Sequence, residues 1–203
     1  VLLELTTTST NDTLVNNEGT TFLHEKLEHL LSKALDEELI EDAIICKNDL
    51  ERNKLWEIRE NAAENEKKEL INSHAKKCLK HDISLPINNI EKFHQETQKM
   101  ISTKIKNTRT IFFGHLGDGN LHYNVFGNGK GDDGFENQSQ NITENLYKII
   151  EKLNGSFSAE HGIGQLKKDN LRFFKDPVAY DLMKNIKYMI DPKNIMNPGK
   201  ILI

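Results

Sequence analysis

Apolar residues recur along this chain with two periods, and the alternation between them sets out the elements. Val1-Leu2-Leu3-Glu4-Leu5 opens a strand over residues 1–8, and the polar stretch from Ser9 to Thr20 is a loop. Leu23, Leu27, Leu30, Leu31, Ala34 and Leu35 stand at helical spacing and predict an amphipathic helix over 20–38. Ala43-Ile44-Ile45-Cys46 reads as a short buried strand, and 48–75 as a charge-rich helix holding Leu55, Trp56, Ile58 and Arg59. Leu79 to Ser84 alternates like a strand. Pro86 suits a first helical turn, after which Ile90, Phe93, Thr97, Met100 and Ile101 form one buried face.

Thr110 to Phe113 is a strand that reverses and returns as Leu121 to Phe126. Gly127 to Gly134 is a loop, and a helix follows over 138–153 with Ile142, Leu146, Ile149 and Ile150 inward. Asp176-Pro177 caps a last helix that should bury Val178, Leu182, Ile186, Met189 and Ile190. Asp191-Pro192 ends it, and Asn197-Pro198-Gly199-Lys200 is a turned tail. No glycine-rich first turn opens a regular β-α alternation. The pattern predicts an α+β fold: a mostly antiparallel sheet with helices packed on one face, ferredoxin-like in style, plus a C-terminal helical segment.

The 203 residues suffice for one globular unit. No apolar run approaches the ~20 residues that span a bilayer, so no transmembrane segment is expected. A net charge of −4 argues against nucleic acid as a partner. Cys46 and Cys78 form no CxxC pair, which points to a reducing compartment without a disulfide framework. The chain starts at Val1 with no leader pattern before its first strand. It reads as a piece of a longer polypeptide, or as a protein whose partner domain sits on another chain.

The candidate chemistry centres on His115-Leu116-Gly117-Asp118-Gly119-Asn120-Leu121-His122, nearly a palindrome about Asp-Gly. Asp-Gly between strand-like runs signals a tight hairpin. Reversal there sets Gly117 against Asn120, Leu116 against Leu121 and His115 against His122. Cross-strand partners share a face, so the two imidazoles could hold one metal ion; otherwise they are two surface histidines. Ser158-Ala159-Glu160-His161-Gly162 places an acid beside a histidine among small residues. Glu160 is a candidate third ligand and His161 a candidate base, unless the segment is only a charged turn. Gly129-Lys130-Gly131-Asp132-Asp133-Gly134 matches G-x-G-x-x-G, but two adjacent carboxylates would repel a pyrophosphate and no Rossmann unit surrounds it. The 64–69 charge run reads as a solvated helix face, and His24, His29, His74 and His94 as structural helix residues.

Five ordered motifs point to a family. They are Leu55-Trp56-Glu57-Ile58-Arg59-Glu60, Lys80-His81-Asp82-Ile83-Ser84-Leu85-Pro86, Gly114 to Asn124, Ser158 to Gly164, and Asp191 to Lys200. In these the chain resembles the C-terminal domain of FAD-linked oxidases, the group holding D-2-hydroxyglutarate dehydrogenase, D-lactate dehydrogenase and the glycolate oxidase flavin subunit. The resemblance implies oxidation of a 2-hydroxy acid to a 2-oxo acid with hydride transfer to FAD. It implies zinc or another divalent metal on His115, His122 and Glu160, and His161 as the catalytic base. Arg59 and Lys80 would meet the substrate carboxylate, with Asn124 near the substrate and Asn197 toward the cofactor.

Those roles agree with the chemistry of the residues. An Arg fork pairs a carboxylate, Lys adds a point charge, and a neutral His takes a proton. Implied partners are the small 2-hydroxy acid, an FAD-binding domain or subunit, and an electron acceptor such as an electron-transfer flavoprotein, a cytochrome or a quinone. A bacterial cytoplasm or a mitochondrial matrix would suit such an enzyme. Two departures are expected to matter. Ala63 stands where hydroxyglutarate enzymes place a threonine, and the flavin-binding domain that should precede Val1 is not in this chain. The competing readings are an inactive split-gene fragment or docking subunit, and a stand-alone zinc hydrolase.

Overall fold

Helices occupy the first third of the chain, and a three-stranded sheet organises the rest. The computed structural model describes residues 1–17, 19–72, 78–106, 108–127 and 134–202. His74 and the predicted end of the 48–75 helix lie outside the described residues, as does Gly129 with most of the Gly127–Gly134 loop. By backbone contacts the chain divides into two units, Val1–Glu64 and Asn65–Ile203.

In the first unit, α1 (Phe22–Asp36) starts where the Thr21 hydroxyl accepts the His24 N–H at 3.3 Å. α2 (Asp49–Glu60) starts likewise, with the Asn48 side chain accepting the Glu51 N–H at 3.0 Å. The single helix expected over 48–75 is broken at Asn61, whose backbone flattens (ψ 0) before α3 (Ala62–Asn72) begins. The strands expected over 1–8 and 43–46 do not form. Among the described residues every strand ladder lies within 78–126, and an extended run needs a partner to satisfy its N–H and C=O groups. Glu4 is drawn instead to α2, where it accepts the Trp56 indole N–H at 2.8 Å and stands 3.6 Å from Arg52 Nε.

In the second unit, β1 (Cys78–Ser84), β2 (Arg109–His115) and β3 (Asn120–Phe126) form an antiparallel sheet in the order β1-β3-β2. α4 (Ile90–Lys104) connects β1 to β2, and α5 (Phe135–Lys152) follows β3. This is the β-α-β-β-α part of a ferredoxin-like pattern. After α5 the chain returns beside β1, and Ser84 and Ser156 exchange backbone hydrogen bonds of 2.9 and 2.8 Å. That single antiparallel bridge lies where the pattern's fourth strand would run, so the α+β expectation holds with the last strand reduced to a stub.

One face of the sheet is apolar. Ile83, Leu121, Tyr123 and Val125 are buried against Phe93 and Ile101 of α4 and Ile142, Leu146 and Ile150 of α5. The helical spacing of those residues is what buries one side of each helix. His81 alternates with Ile83 onto this face and is fully enclosed. Its Nδ1–H donates to the Tyr123 carbonyl at 3.0 Å, and its Nε2 accepts from the Thr143 hydroxyl at 3.1 Å. Burial pulls its pKa down to about 4, against the Tyr123 bond, which favours the proton.

α6 (Lys168–Phe174) and α7 (Pro177–Ile190) complete the unit. Val178, Leu182, Ile186, Met189 and Ile190 were expected inside, yet they are between 50% and 74% exposed. The apolar sheet face is already covered by α4 and α5, which leaves no apolar surface there for α7. Tyr180 on another side of α7 is buried instead. No helix among the described residues is long and apolar enough to cross a membrane.

Neutral burial of His81 limits stability in acid. Its pKa is about 4 folded and ~6.5 unfolded, so the unfolded chain takes up the extra proton in that window and stability falls as pH drops through it. Denaturant titrations should show a loss of roughly 2 kcal/mol between pH 7 and pH 5 from this group. His81→Gln should flatten that pH dependence; an unchanged slope would contradict it.

Candidate functional site

The second sheet face carries most of the strands' polar side chains, beside Ile111, Phe113 and Phe126, and the strand register says which residues share it. Across β1 and β3, Lys80 pairs with Asn124, Asp82 with His122 and Ser84 with Asn120. Across β2 and β3, Phe113 pairs with His122 and His115 with Asn120. Because side chains alternate, Lys80, Asp82, His115, Asn120, His122 and Asn124 all lie opposite the core.

The hairpin differs from the turn expected at Asp118-Gly119. A 3-10 turn, Leu116–Asp118, is followed by Gly119 in the left-handed region (φ 71), so four residues join the strands. His115 therefore faces Asn120 rather than His122, whose ring lies 5.2 Å from that of Phe113. The reason is local: the Asp118 carboxylate accepts the Asn120 N–H at 3.0 Å and ends the turn there. Leu85 N–H also donates to the Gly119 carbonyl at 3.0 Å, and a Cβ at Gly119 would stand 1.9 Å from the Leu85 carbonyl oxygen. The register moves by two residues in sum, so both histidines keep their face, now diagonally placed.

Glu160 joins them. One of its carboxylate oxygens lies 3.8 Å from His115 Nδ1 and the other 3.8 Å from His122 Nε2. The buried Asn120 amide donates to the same carboxylate, and Asn120 Oδ1 is a buried atom with no hydrogen-bond partner. Glu160 thus spans His115 and His122, one oxygen toward each. Ligand atoms around a tetrahedral zinc at ~2.0–2.1 Å stand roughly 3.4 Å apart. The two 3.8 Å contacts use different Glu160 oxygens, and no choice of one ligand atom from each residue sets all three within 4.8 Å of one another, so the side chains must adjust before they can surround one cation.

The segment carrying Glu160 and His161 is held by Asp82. Its buried carboxylate accepts the backbone N–H groups of Ala159 (3.1 Å), Glu160 (3.1 Å) and His161 (2.9 Å). His161 Nδ1 and Lys167 Nζ each stand 3.8 Å from Asp82 Oδ2. Burial alone would raise the Asp82 pKa; the backbone N–H donors of His161 and Glu160 and the nearby Lys167 ammonium hold it below the usual carboxylate range. Lys167 donates to the Phe157 carbonyl at 3.1 Å and the Ser158 hydroxyl at 3.2 Å, fixing the segment from its other end. Burial lowers the pKa of this ammonium, and Asp82 opposes the shift.

Among the described residues, Asp82, His122 and His161 are the one set of three His, Cys, Asp or Glu side chains whose ligand atoms all lie within 4.8 Å of one another. In that set the carboxylate is already committed to three N–H donors, whereas Glu160 is half-exposed and spans two imidazoles.

Further along the face, Lys80 and Asn124 meet Glu66 of α3. Lys80 Nζ lies 2.5 Å from Glu66 Oε1, and the Asn124 amide donates to Oε2 at 2.7 Å. Glu66 is only 5% exposed, which corrects the reading of 64–69 as a wholly solvated face. A carboxylate can be buried there because it gains a cation and an amide donor. Arg59 lies in the last turn of α2, in the first unit. Asn197 stands on the tail after α7 in the left-handed region (φ 49), lining an open cleft with Lys187 and Asp191. Asp82, Glu66, Asn120 and Lys167 were not singled out from the sequence. The alternation Lys80, Asp82, Ser84 was a usable signal for Asp82; no local pattern marks Glu66.

The family described as FAD linked oxidases, C-terminal domain, matches residues 13–201. D-2-hydroxyglutarate dehydrogenase of Stutzerimonas stutzeri (strain A1501) is 31% identical over 192 residues, 93% of this chain and 39% of the relative. The mitochondrial D-2-hydroxyglutarate dehydrogenase of Arabidopsis thaliana is 33% identical over 179 residues, 88% of this chain and 30% of the relative. That of Rattus norvegicus is 33% identical over 192 residues, 93% of this chain and 34% of the relative. The match over residues 13–201 places the chain in the family of C-terminal domains of FAD-linked oxidases. It spans less than two-fifths of the length of these curated relatives.

The account of Asp82 is open to a direct check. Asp82→Asn would put an amide donor against backbone donors and loosen the segment. Hydrogen exchange at Ala159, Glu160 and His161 should quicken by about tenfold or more, as expected for losing a charge-assisted bond, while β3 amides such as Tyr123 stay protected. Unchanged exchange at these three amides would show that the carboxylate does not hold them.

Proposed function

We propose that this chain is the substrate- and metal-binding part of an FAD-dependent D-2-hydroxy acid dehydrogenase, converting a 2-hydroxy acid to a 2-oxo acid. The observation that carries the reading is Glu160 spanning His115 and His122 on one sheet face, with the His161 ring beside that of His122. When bound, a divalent cation (zinc, by its donor types) supplies a Lewis acid for the hydroxyl oxygen, and FAD supplies the hydride acceptor.

The chain's own residues do the rest. His115, His122 and Glu160 hold the cation. His161 turns Nδ1 toward Asp82, which leaves Nε2 to take the hydroxyl proton as the carbonyl forms. Asp82 keeps the ring in place through the backbone of its own segment. Lys80, Asn124 and Arg59 serve the substrate's polar groups, Lys80 and Arg59 by charge. Asn197, on the C-terminal tail, would face the cofactor when it is bound.

The partner is an FAD-binding domain or subunit, corresponding to the larger part of the relatives outside the match. The exposed apolar stripe Val178, Leu182, Ile186, Met189 and Ile190 on α7 supports that partnership, since such a stripe is what an interface core needs. An electron-transfer flavoprotein, cytochrome or quinone would then re-oxidise the flavin.

Elemental analysis of the purified chain should find about one zinc per molecule, lost in His122→Ala. Unchanged zinc in that variant would remove the hairpin site. In the complete enzyme His161→Gln should slow flavin reduction by at least ~10²-fold with metal content intact; a normal rate would refute the base.

A further inference from the structure

We infer that Glu66 determines substrate specificity: its carboxylate fills the seat that Lys80 and Asn124 would offer to a second carboxylate of the substrate, so the site takes 2-hydroxy acids whose far end carries no negative charge. The inference rests on the substrate role proposed above for Lys80 and Asn124.

Three observations carry it. Lys80 and Asn124 are direct cross-strand partners, one pleat repeat along the strands from the Asp82–His122 pair, or roughly 6–7 Å. The carboxylate of a 2-hydroxy acid that lies next to the hydroxyl is bonded to the same carbon, so it stays beside the cation-binding residues. Lys80 and Asn124 therefore face the end of the substrate remote from the reacting carbon. There, Glu66 gives one oxygen to each of them, at 2.5 Å from the ammonium and 2.7 Å from the amide nitrogen. A bound carboxylate would make the same two contacts.

Position decides which carboxylate keeps the seat. Glu66 is 5% exposed whereas the Lys80 side chain is 58% exposed, so the carboxylate lies beneath the ammonium on the protein side. Turning Glu66 out would break a buried pair, and leaving it in place would set two carboxylates on one ammonium. Both work against an anionic far end. An uncharged or short far end meets neither penalty.

Titration calorimetry on the zinc-loaded chain tests this with a monocarboxylic acid, D-lactate, and a dicarboxylic one, D-2-hydroxyglutarate. The wild-type chain should bind D-lactate more tightly. Glu66→Gln should tighten D-2-hydroxyglutarate by at least about tenfold, with D-lactate changed less than about twofold. Equal or tighter binding of the dicarboxylate by the wild-type chain overturns the proposal without needing a variant. So does a Glu66→Gln protein that shifts both acids alike or neither. If neither acid binds either protein although zinc is held, the substrate roles of Lys80 and Asn124 fall, and this inference with them.

Discussion

Everything in the second unit depends on β3 being paired along both edges. β1 and β2 fix its register, so its two-residue alternation cannot drift. Leu121, Tyr123 and Val125 go to the core, and Asn120, His122 and Asn124 to the other side. A slip of one residue would bury those three polar side chains among α4 and α5 and strip the core of its apolar ones. The same alternation carries Lys80, Asp82 and His115 to the polar face. The site is in this sense the reverse side of the hydrophobic core.

Asp82 turns that face into a three-dimensional site. Histidines on neighbouring strands lie diagonally, and the third donor has to come from elsewhere in the chain. One carboxylate accepting three consecutive backbone N–H groups ties the 159–161 segment to β1. Glu160 then reaches the hairpin histidines while His161, the next residue, turns toward Asp82. Lys167 balances the charge of Asp82 and secures the segment at Phe157 and Ser158.

Much of this was legible in the sequence wherever a local period decided the outcome. The apolar spacing marked α1, α4, α5 and β1 to β3 within a few residues, and the near-palindrome marked the hairpin and the shared face of its histidines. The register was not legible, because Asp118 capping Asn120 and the clamp of Gly119 on Leu85 are contacts made only in the folded turn. Val1 to Leu5 looked like a strand, but strand formation needs a partner, and alternation within one segment is silent about that. α7 had the stripe of a buried helix. The stripe is real, and among the described residues it stays exposed. Glu66 was hidden in a charge run because a helix face alone does not reveal that Lys80 and Asn124 will meet it.

The central claim is that His115, His122 and Glu160 grip one cation. Anomalous X-ray diffraction from zinc-soaked crystals at the zinc absorption edge tests it most directly. The account predicts one strong peak within about 2.2 Å of a nitrogen of each histidine and of a Glu160 oxygen. A peak bound instead by Asp82, His122 and His161, or no peak at the hairpin, would contradict it.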